Sequence, residues 1–206
     1  MKILARMPLA IIIAFSLLLA GCLGEGEKSL TFYGDDIIEN VAFSPFVLTD
    51  QNNTTFNSSQ LDGKVAVFAF LFTNCPDICP IVSANLKYVG EQLGEDFGTE
   101  VIIITITVDP WRDNSSILKE YSDDKGLFWP HLTGEVEELE PIWADFGVGL
   151  EVVEQNGTSA RHHPEAYEVD HSTGTIIVDR EGKQRVWWGD LDWAPDLIIE
   201  DIKSLL

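Results

Sequence analysis

Two cysteines separated by three residues have the clearest chemical potential in this chain. Cys75 and Cys79 lie in the stretch 72–80 (Phe-Thr-Asn-Cys-Pro-Asp-Ile-Cys-Pro), directly after the apolar run Val65–Leu71. The run predicts a strand buried on both faces, and Pro80 suits the first turn of a helix. We therefore expect both thiols at a strand-to-helix junction. The positive end of a helix dipole favours thiolate, the form that attacks disulfides and binds soft metal ions.

The residue types leave three uses of this pair open: a redox-active dithiol, a metal site, and an ordinary stabilising disulfide of an exported protein. The disulfide would close a very short loop, so its entropic contribution to stability would be small. Prolines after both cysteines, at a helix start, favour a working site. Binding of most metal ions by two thiolates requires at least one further donor.

The four histidines are the candidates for that further donor. His171 stands just ahead of a predicted hairpin strand, in a loop that a thioredoxin-like sheet would place opposite the dithiol. Two thiolates with one imidazole suit Cu(I), and suit Cu(II) when a water or backbone donor is added. His162 and His163 lie in a polar stretch and are candidates for an assisting role at the rim. His131 is predicted to be a packing or surface residue.

The rest of the chain predicts strands and helices in alternation. The predicted strands are Phe43–Leu48, Val65–Phe72, Val101–Val108, Thr175–Val178 and Gln184–Trp188, the last two forming a hairpin. The predicted helices are Ile81–Leu93, Ser115–Tyr121, Glu135–Phe146 with a kink or break at Pro141, and Pro195–Leu206 with Leu197, Ile198, Ile202 and Leu205 on its apolar side. The segment Leu150–Tyr167 is polar and receives no assignment. This order predicts an α/β fold, a thioredoxin-like three-layer sandwich with a mixed central sheet.

The first residues of the chain predict export. A short basic region precedes Leu9–Ala20, an apolar run shorter than the roughly 20 residues that a spanning helix needs. The run ends in a bacterial-type lipobox, which implies cleavage before Cys22 and attachment of lipid to its sulfur. The alternative is a signal anchor with an unmodified Cys22. The predicted divisions are a lipoprotein signal peptide over 1–21, a lipidated tether over 22–40 and one domain over 41–206, held on the outer face of the cytoplasmic membrane.

The charge balance excludes one class of partner. The formal net charge is −21, and removal of residues 1–21, which contain two basic and no acidic residues, makes it −23. Such a surface repels nucleic acid. Polar stretches of the chain also contain five Asn-x-Ser/Thr acceptor sequences for glycosylation, at Asn52, Asn53, Asn57, Asn114 and Asn156.

Three blocks of this sequence resemble the Sco/SenC proteins. The blocks are Thr73–Pro80, Thr107–Asp113 and Val169–Ser172, which occur in order within a resemblance that spans about Phe43–Leu206. The resemblance implies a thioredoxin-like fold, copper bound by Cys75, Cys79 and His171, and a role in assembling the binuclear copper centre of cytochrome c oxidase. The chain departs from the family in its lipobox, where many members have a spanning helix, and in its strong acidity.

Two functions are compatible with these residues. A membrane-anchored copper chaperone would carry copper on its two thiolates and one imidazole and pass it to a cuproprotein target by ligand exchange. A thiol–disulfide oxidoreductase would use Cys75 and Cys79 to reduce the cysteines of such a target. A peroxidase is disfavoured, because the peroxidatic motif of peroxiredoxins is Thr-x-x-Cys, with the threonine three residues before the cysteine. In this chain Thr73 stands two residues before Cys75. Asp109 and Asp170 are candidates to orient the ligands, although Asp109 would equally suit a cap of the next helix or turn.

Overall fold

The structure is a computed structural model that describes residues 30–39, 41–154, 167–172, 174–189 and 192–206. From Thr31 onward these residues belong to one compact unit, Thr31–Leu206. Within the described ranges, no helix is long and apolar enough to cross a membrane. The predictions for the signal peptide, Cys22, His162 and His163 fall outside the described residues.

The described strands form one large mixed sheet and one separate hairpin. They are β1 (Asp35–Asp36), β2 (Val47–Asp50), β3 (Thr55–Asn57), β4 (Val65–Leu71), β5 (Val101–Thr107), β6 (His131–Thr133), β7 (Leu150–Glu154), β8 (Tyr167–His171), β9 (Thr175–Val178) and β10 (Gln184–Trp188). The order across the large sheet is β1-β10-β9-β4-β5-β6-β2-β3, and β7 pairs with β8.

Strands β4 and β5 form the centre of the sheet, as the sequence predicts. Every residue of β4 is buried, which is why the strand reads as a continuous apolar run without alternation. The two strands pair in parallel from Val65 opposite Val101 to Leu71 opposite Thr107, while β9 runs antiparallel on the other side of β4. The carboxyl end of β4, where the dithiol loop (residues 72–78) begins, is therefore held by β5 as far as Leu71, whereas the pairing with β9 extends only to Ala69.

Four described helices cover the sheet: α1 (Cys79–Leu93), α2 (Ser115–Lys125), α3 (Val136–Asp145) and α4 (Pro195–Ser204). Helix α1 packs against α4, and it meets α2 where Ser83 Oγ lies 2.9 Å from Tyr121 OH. Directly after α3, the ring of Phe146 packs on Phe68 of β4, with ring centroids 4.5 Å apart. Helices and aromatic rings thus cover the mixed sheet in layers, as predicted for a thioredoxin-like sandwich.

Three local predictions are wrong. The strand predicted at Phe43–Leu48 begins only at Val47, because the backbone N–H of Ser44 donates to Asp145 Oδ2 and Pro45 has no N–H to offer a neighbouring strand. The break at Pro141 is wrong, since helix α3 runs through this residue, whereas a kink there stays a prediction. Pro141 lies on the exposed side, where the loss of one backbone donor is tolerated. Leu197 is 38% exposed, and Ile199 takes a buried position on α4 in its place.

The hairpin β7–β8 is an element that the sequence did not reveal. Its strands pair from Leu150 opposite His171 to Glu154 opposite Tyr167. Two further hydrogen bonds close its base, from Ser172 N to Gly149 O and from Gly149 N to Ser172 Oγ, each 2.8 Å long. His171 therefore ends a paired strand and does not lie in a free loop.

The folded unit also begins earlier than predicted. The backbone N–H groups of Tyr33 and Gly34 donate to the carboxylate of Asp201, at 2.8 and 3.0 Å, and Trp188 Nε1 donates to the same carboxylate at 3.0 Å. Strand β1 follows directly and pairs with β10. Residues 31–39, which the sequence assigned to a tether over 22–40, are thus part of the domain; a two-residue strand held by a distant carboxylate leaves no signal in sequence patterns.

Candidate functional site

The dithiol lies at the start of helix α1, as its sequence context predicts. No side chain caps this helix at Ile78, but the backbone N–H of Cys79 points at Cys75 Sγ at 3.5 Å. The sulfur thus occupies the position that a capping oxygen would take. Cys75 is partly exposed and Cys79 is fully buried, and no disulfide joins them. The loop before helix α1 therefore presents an outer thiol, and the first residue of the helix presents an inner one.

A buried carboxylate anchors the loop that leads to the dithiol. Asp113 accepts hydrogen bonds from Thr73 N at 3.0 Å, from Thr73 Oγ1 at 2.5 Å and from Thr107 Oγ1 at 2.7 Å. Burial raises the pKa of Asp113, and the hydrogen bonds from Thr73 and Thr107 oppose that rise. Since Thr73 stands two residues before Cys75, Asp113 ties the dithiol loop to the carboxyl end of β5.

A second buried carboxylate anchors the hairpin that carries His171. Asp109 accepts hydrogen bonds from Tyr167 OH, at the start of β8, and from Arg112 Nε. The Arg112 guanidinium also lies over the Tyr167 ring, 4.1 Å from its centroid, and 6.0 Å from the centroid of Phe72. Burial, the hydrogen bond to Asp109 and its charge raise the pKa of Tyr167. Asp109 thus fixes the hairpin at one end, and the same guanidinium lies near the ring of Phe72 in the dithiol loop.

His171 lies beside the dithiol loop without being gathered into a metal-binding group. Its ring meets the ring of Phe72 edge-on, with centroids 5.7 Å apart. Phe72 stands three residues before Cys75 in the sequence. Its Nδ1 lies 3.2 Å from Ser172 O. Burial lowers the pKa of His171, which favours the neutral form that binds metals. Among the described residues, no three His, Cys, Asp or Glu side chains are close enough together to hold a metal ion.

The remaining sequence candidates take other places. His131 is buried on β6, where its ring stacks on Trp129 with centroids 5.5 Å apart, so the packing role predicted for it is confirmed. Asp170 is exposed on β8, and its part in orienting a ligand stays a prediction. Asp109 does not cap a helix with its side chain. Asp113 was missed as a site residue. It directly precedes Asn114, the N-cap of helix α2, and the sequence alone suggests a capping role for a carboxylate at this position.

A carbonyl oxygen can only accept, so the contact between His171 and Ser172 places the imidazole proton on Nδ1. The other ring nitrogen, Nε2, then has its lone pair available for a metal ion. The donor set that the loop and the hairpin offer is two thiols and one imidazole, which suits copper. The structure therefore supplies the donors at adjacent elements, and the closing of the three around one ion stays a prediction.

Similar proteins share both the sequence and this architecture. The profile of the SCO1/SenC family matches residues 37–206. The SCO2-like protein RP587 of Rickettsia prowazekii (strain Madrid E) is 34% identical over 139 residues, which are 68% of this chain and 65% of that protein.

Two solved structures of Sco proteins are similar to this chain in their fold. Bradyrhizobium japonicum ScoI with copper bound has a TM-score of 0.69 at 28% identity, covering 80% of this chain and 99% of that one. BsSco, described with a disulfide switch and as a member of the Sco family of cytochrome c oxidase assembly proteins, has a TM-score of 0.64 at 26% identity. That match covers 84% of this chain and 96% of BsSco.

Proposed function

Because the chain belongs to the SCO1/SenC family, we propose that it is a copper chaperone that assists assembly of the binuclear copper centre of cytochrome c oxidase. Cys75, Cys79 and His171 would bind the copper. The observation that carries the proposal is the pair of thiols at the start of helix α1 beside a hairpin that ends in His171. Copper bound to the similar ScoI structure supports the same metal.

Binding would require the hairpin and the dithiol loop to approach each other. The hairpin is held mainly at its Tyr167 end, through Asp109, and at its base through Gly149 and Ser172. His171 makes a ring contact with Phe72 and one long hydrogen bond to Ser172. Within the described part of the chain, these two contacts are the ones that have to break for Nε2 to turn toward the sulfurs. Release to a target would follow the reverse order, with the target's thiolates replacing His171 first and the sulfurs afterwards.

A copper titration tests this ligand set. Absorbance of the reduced protein would be followed as Cu(II) is added, and we expect a thiolate-to-copper charge-transfer band. The band should be lost in Cys75→Ser and Cys79→Ser, and His171→Ala should weaken affinity by more than the roughly 10–100-fold that loss of an outer-shell partner costs. His162→Ala and His163→Ala test the assisting role predicted for these two histidines, and each should weaken copper binding less than His171→Ala does. A His171→Ala protein with unchanged affinity would refute the third ligand while leaving the dithiol intact.

A second function is favoured by the unequal exposure of the two thiols. Cys75 is partly exposed, whereas Cys79 has 0% relative exposure. In a thiol–disulfide oxidoreductase, the outer thiolate attacks a target disulfide and the inner thiol then resolves the mixed disulfide. The target gains two thiols and the chain gains one disulfide, so electrons balance. The measured reduction potential of the dithiol tests this function: a couple much more oxidising than the target disulfide could not reduce it.

The location of the protein belongs to the same proposal. The lipobox supports lipid on Cys22 and a domain on the outer face of the cytoplasmic membrane. A cuproprotein of that membrane, with the copper-centre subunit of cytochrome c oxidase as the first candidate, would then be the partner. Metabolic labelling with a fatty acid, compared between the wild type and Cys22→Ala, tests the anchor, and absence of label from the wild type would count against it.

A further inference from the structure

The asparagines of this chain are concentrated in acceptor sequences for sugar. The chain has eight asparagines, and serine and threonine together make up 24 of its 206 residues. A random order would therefore place Ser or Thr two residues after about one of the eight asparagines. Five are followed in this way, and no proline stands between in any of them. The dithiol loop, by contrast, contains Asn74, which is not followed by Ser or Thr two residues later.

The structure places the described acceptors at the surface of one region. Asn52 and Asn53 form the turn between β2 and β3, Asn57 ends β3, and Asn114 caps helix α2. All four side chains are exposed, and Asn52, Asn53 and Asn114 line the same open groove. The fifth acceptor, Asn156, lies outside the described residues.

Hydrogen bonds fix the orientation of two of these side-chain amides. Asn114 Oδ1 accepts from Ser116 N at 3.0 Å, Ile117 N at 3.1 Å and Ser116 Oγ at 2.6 Å. Asn57 Oδ1 accepts from Ser59 N at 2.9 Å. Because these donors are bound by oxygen, the Nδ2 of each amide is directed away from them, and within the described residues neither Nδ2 has a hydrogen-bond partner. The nitrogen that a sugar would join is thus the accessible atom.

We infer that this face is a site of N-linked glycosylation, at Asn57, Asn114 and one of the adjacent pair Asn52 and Asn53. Transfer forms a bond between Nδ2 and the anomeric carbon of a sugar carried on a polyprenyl phosphate. The bond from that carbon to phosphate breaks with its electron pair, and the amide loses one proton to a base of the transferase. No oxidant or reductant is needed. The inference rests on the proposed extracytoplasmic location, since such transferases act outside the cytoplasm.

The position of the face gives the modification a physical consequence. Strand β3 is the edge of the sheet, and two strands, β5 and β6, separate its partner β2 from β4, which leads to the dithiol. Opposite Asn57, on the neighbouring strand β2, Val47 is 52% exposed. A glycan here would cover an edge that can otherwise pair with another chain, and sugars at Asn52, Asn53 or Asn57 would leave the dithiol loop accessible.

The test uses the full chain in a prokaryotic host whose transferase accepts the three-residue acceptor sequence, and in the same host without that transferase. Intact mass and glycopeptide fragmentation of the membrane-bound protein would be compared. We expect glycan on Asn57, Asn114 and one of the adjacent pair, present only with the transferase. Ser116→Ala should remove the sugar from Asn114, whereas Ser115→Ala and Ser116→Thr, which keep the acceptor sequence, should retain it.

Two results would overturn the inference. One is an exported protein, with its amino terminus processed at Cys22, whose four described asparagines are all unmodified. The other is sugar on Asn114 that persists in Ser116→Ala. A copper titration of the same preparations separates this inference from the proposed function: copper bound without sugar refutes only the glycosylation, and sugar without copper binding refutes only the chaperone role.

Discussion

The hydrogen bond between Thr73 and Asp113 offers a way to separate folding from copper binding. Thr73→Val keeps the side-chain shape and the backbone donor to Asp113, and removes only the hydroxyl bond of 2.5 Å. A hydrogen bond of this kind contributes about 1–3 kcal/mol. Thr107→Val removes a hydroxyl that donates to the same carboxylate and also accepts from Asp109 N, so two buried bonds are lost. We expect a cost of about 2–4 kcal/mol for that variant.

Thr73→Val should be the more stable of the two variants but should bind copper more weakly than Thr107→Val. Thr73 lies two residues before Cys75, so its loss loosens the dithiol loop, and affinity for copper should fall about 10–100-fold, as when an outer-shell partner is removed. Thr107 lies on β5, and its removal leaves both bonds from Thr73 to Asp113 in place. Thr107→Val should therefore be the less stable protein and the better copper binder.

Urea unfolding of the reduced, metal-free proteins gives the stabilities, and competition with a copper chelator gives the affinities. Both variants need an unchanged far-ultraviolet circular dichroism spectrum. If affinity follows stability, with Thr107→Val the weaker binder, then Asp113 acts only on the fold. The proposed positioning of the dithiol loop by this carboxylate would then be refuted.

Three further outcomes are expected. Burial lowers the pKa of His131 to about 4, so between pH 6.5 and pH 4 the unfolded chain takes up a proton on this residue that the folded chain does not. Over this range the wild-type protein should therefore lose about 3 kcal/mol of unfolding free energy relative to His131→Leu. Equal pH profiles of the two proteins in urea unfolding would contradict this. Asp201→Ala should release the segment before β1 to limited proteolysis, because Tyr33 N, Gly34 N and Trp188 Nε1 lose their acceptor. Asp201→Asn keeps one of the two acceptor oxygens and should release the segment less than Asp201→Ala does. Cleavage as slow in Asp201→Ala as in the wild type would argue against this attachment. In a Cys22→Ser background, iodoacetamide should label Cys75 faster than Cys79, which has 0% exposure, and the rates should converge in urea; equal native rates would argue against an outer and an inner thiol.

The elements that the sequence predicted correctly are those whose cause is local. Strand β4 is a continuous apolar run because both of its faces are covered. Helix α1 has a proline in its first turn and Gly94 at its end. Asn114 caps helix α2 as its residue type suggests. By contrast, the strand at Val47 starts late in part because the N–H of Ser44 donates to Asp145, 101 residues away in the chain.

The hairpin β7–β8 shows why the rest could not be predicted. Its strands are largely polar, and its attachment depends on Tyr167 meeting a carboxylate 58 residues earlier. Asp113 is similar, since its partner Thr73 lies 40 residues away. Contacts of such separation leave no periodicity in a sequence, because each partner is read among neighbours that it does not touch.

The sequence by itself determined the chemistry of this protein: two thiols at a helix start, an imidazole further on, an acidic chain, and the family to which these motifs point. Residue type and local spacing suffice for this, because thiolate chemistry and helix starts are properties of a few adjacent residues. Only the tertiary structure decided how the donors are held. It placed Cys75 Sγ at the amino end of α1 and His171 at the end of a paired strand, and it assigned the two anchoring carboxylates, because burial and long-range pairing arise only when the chain is folded.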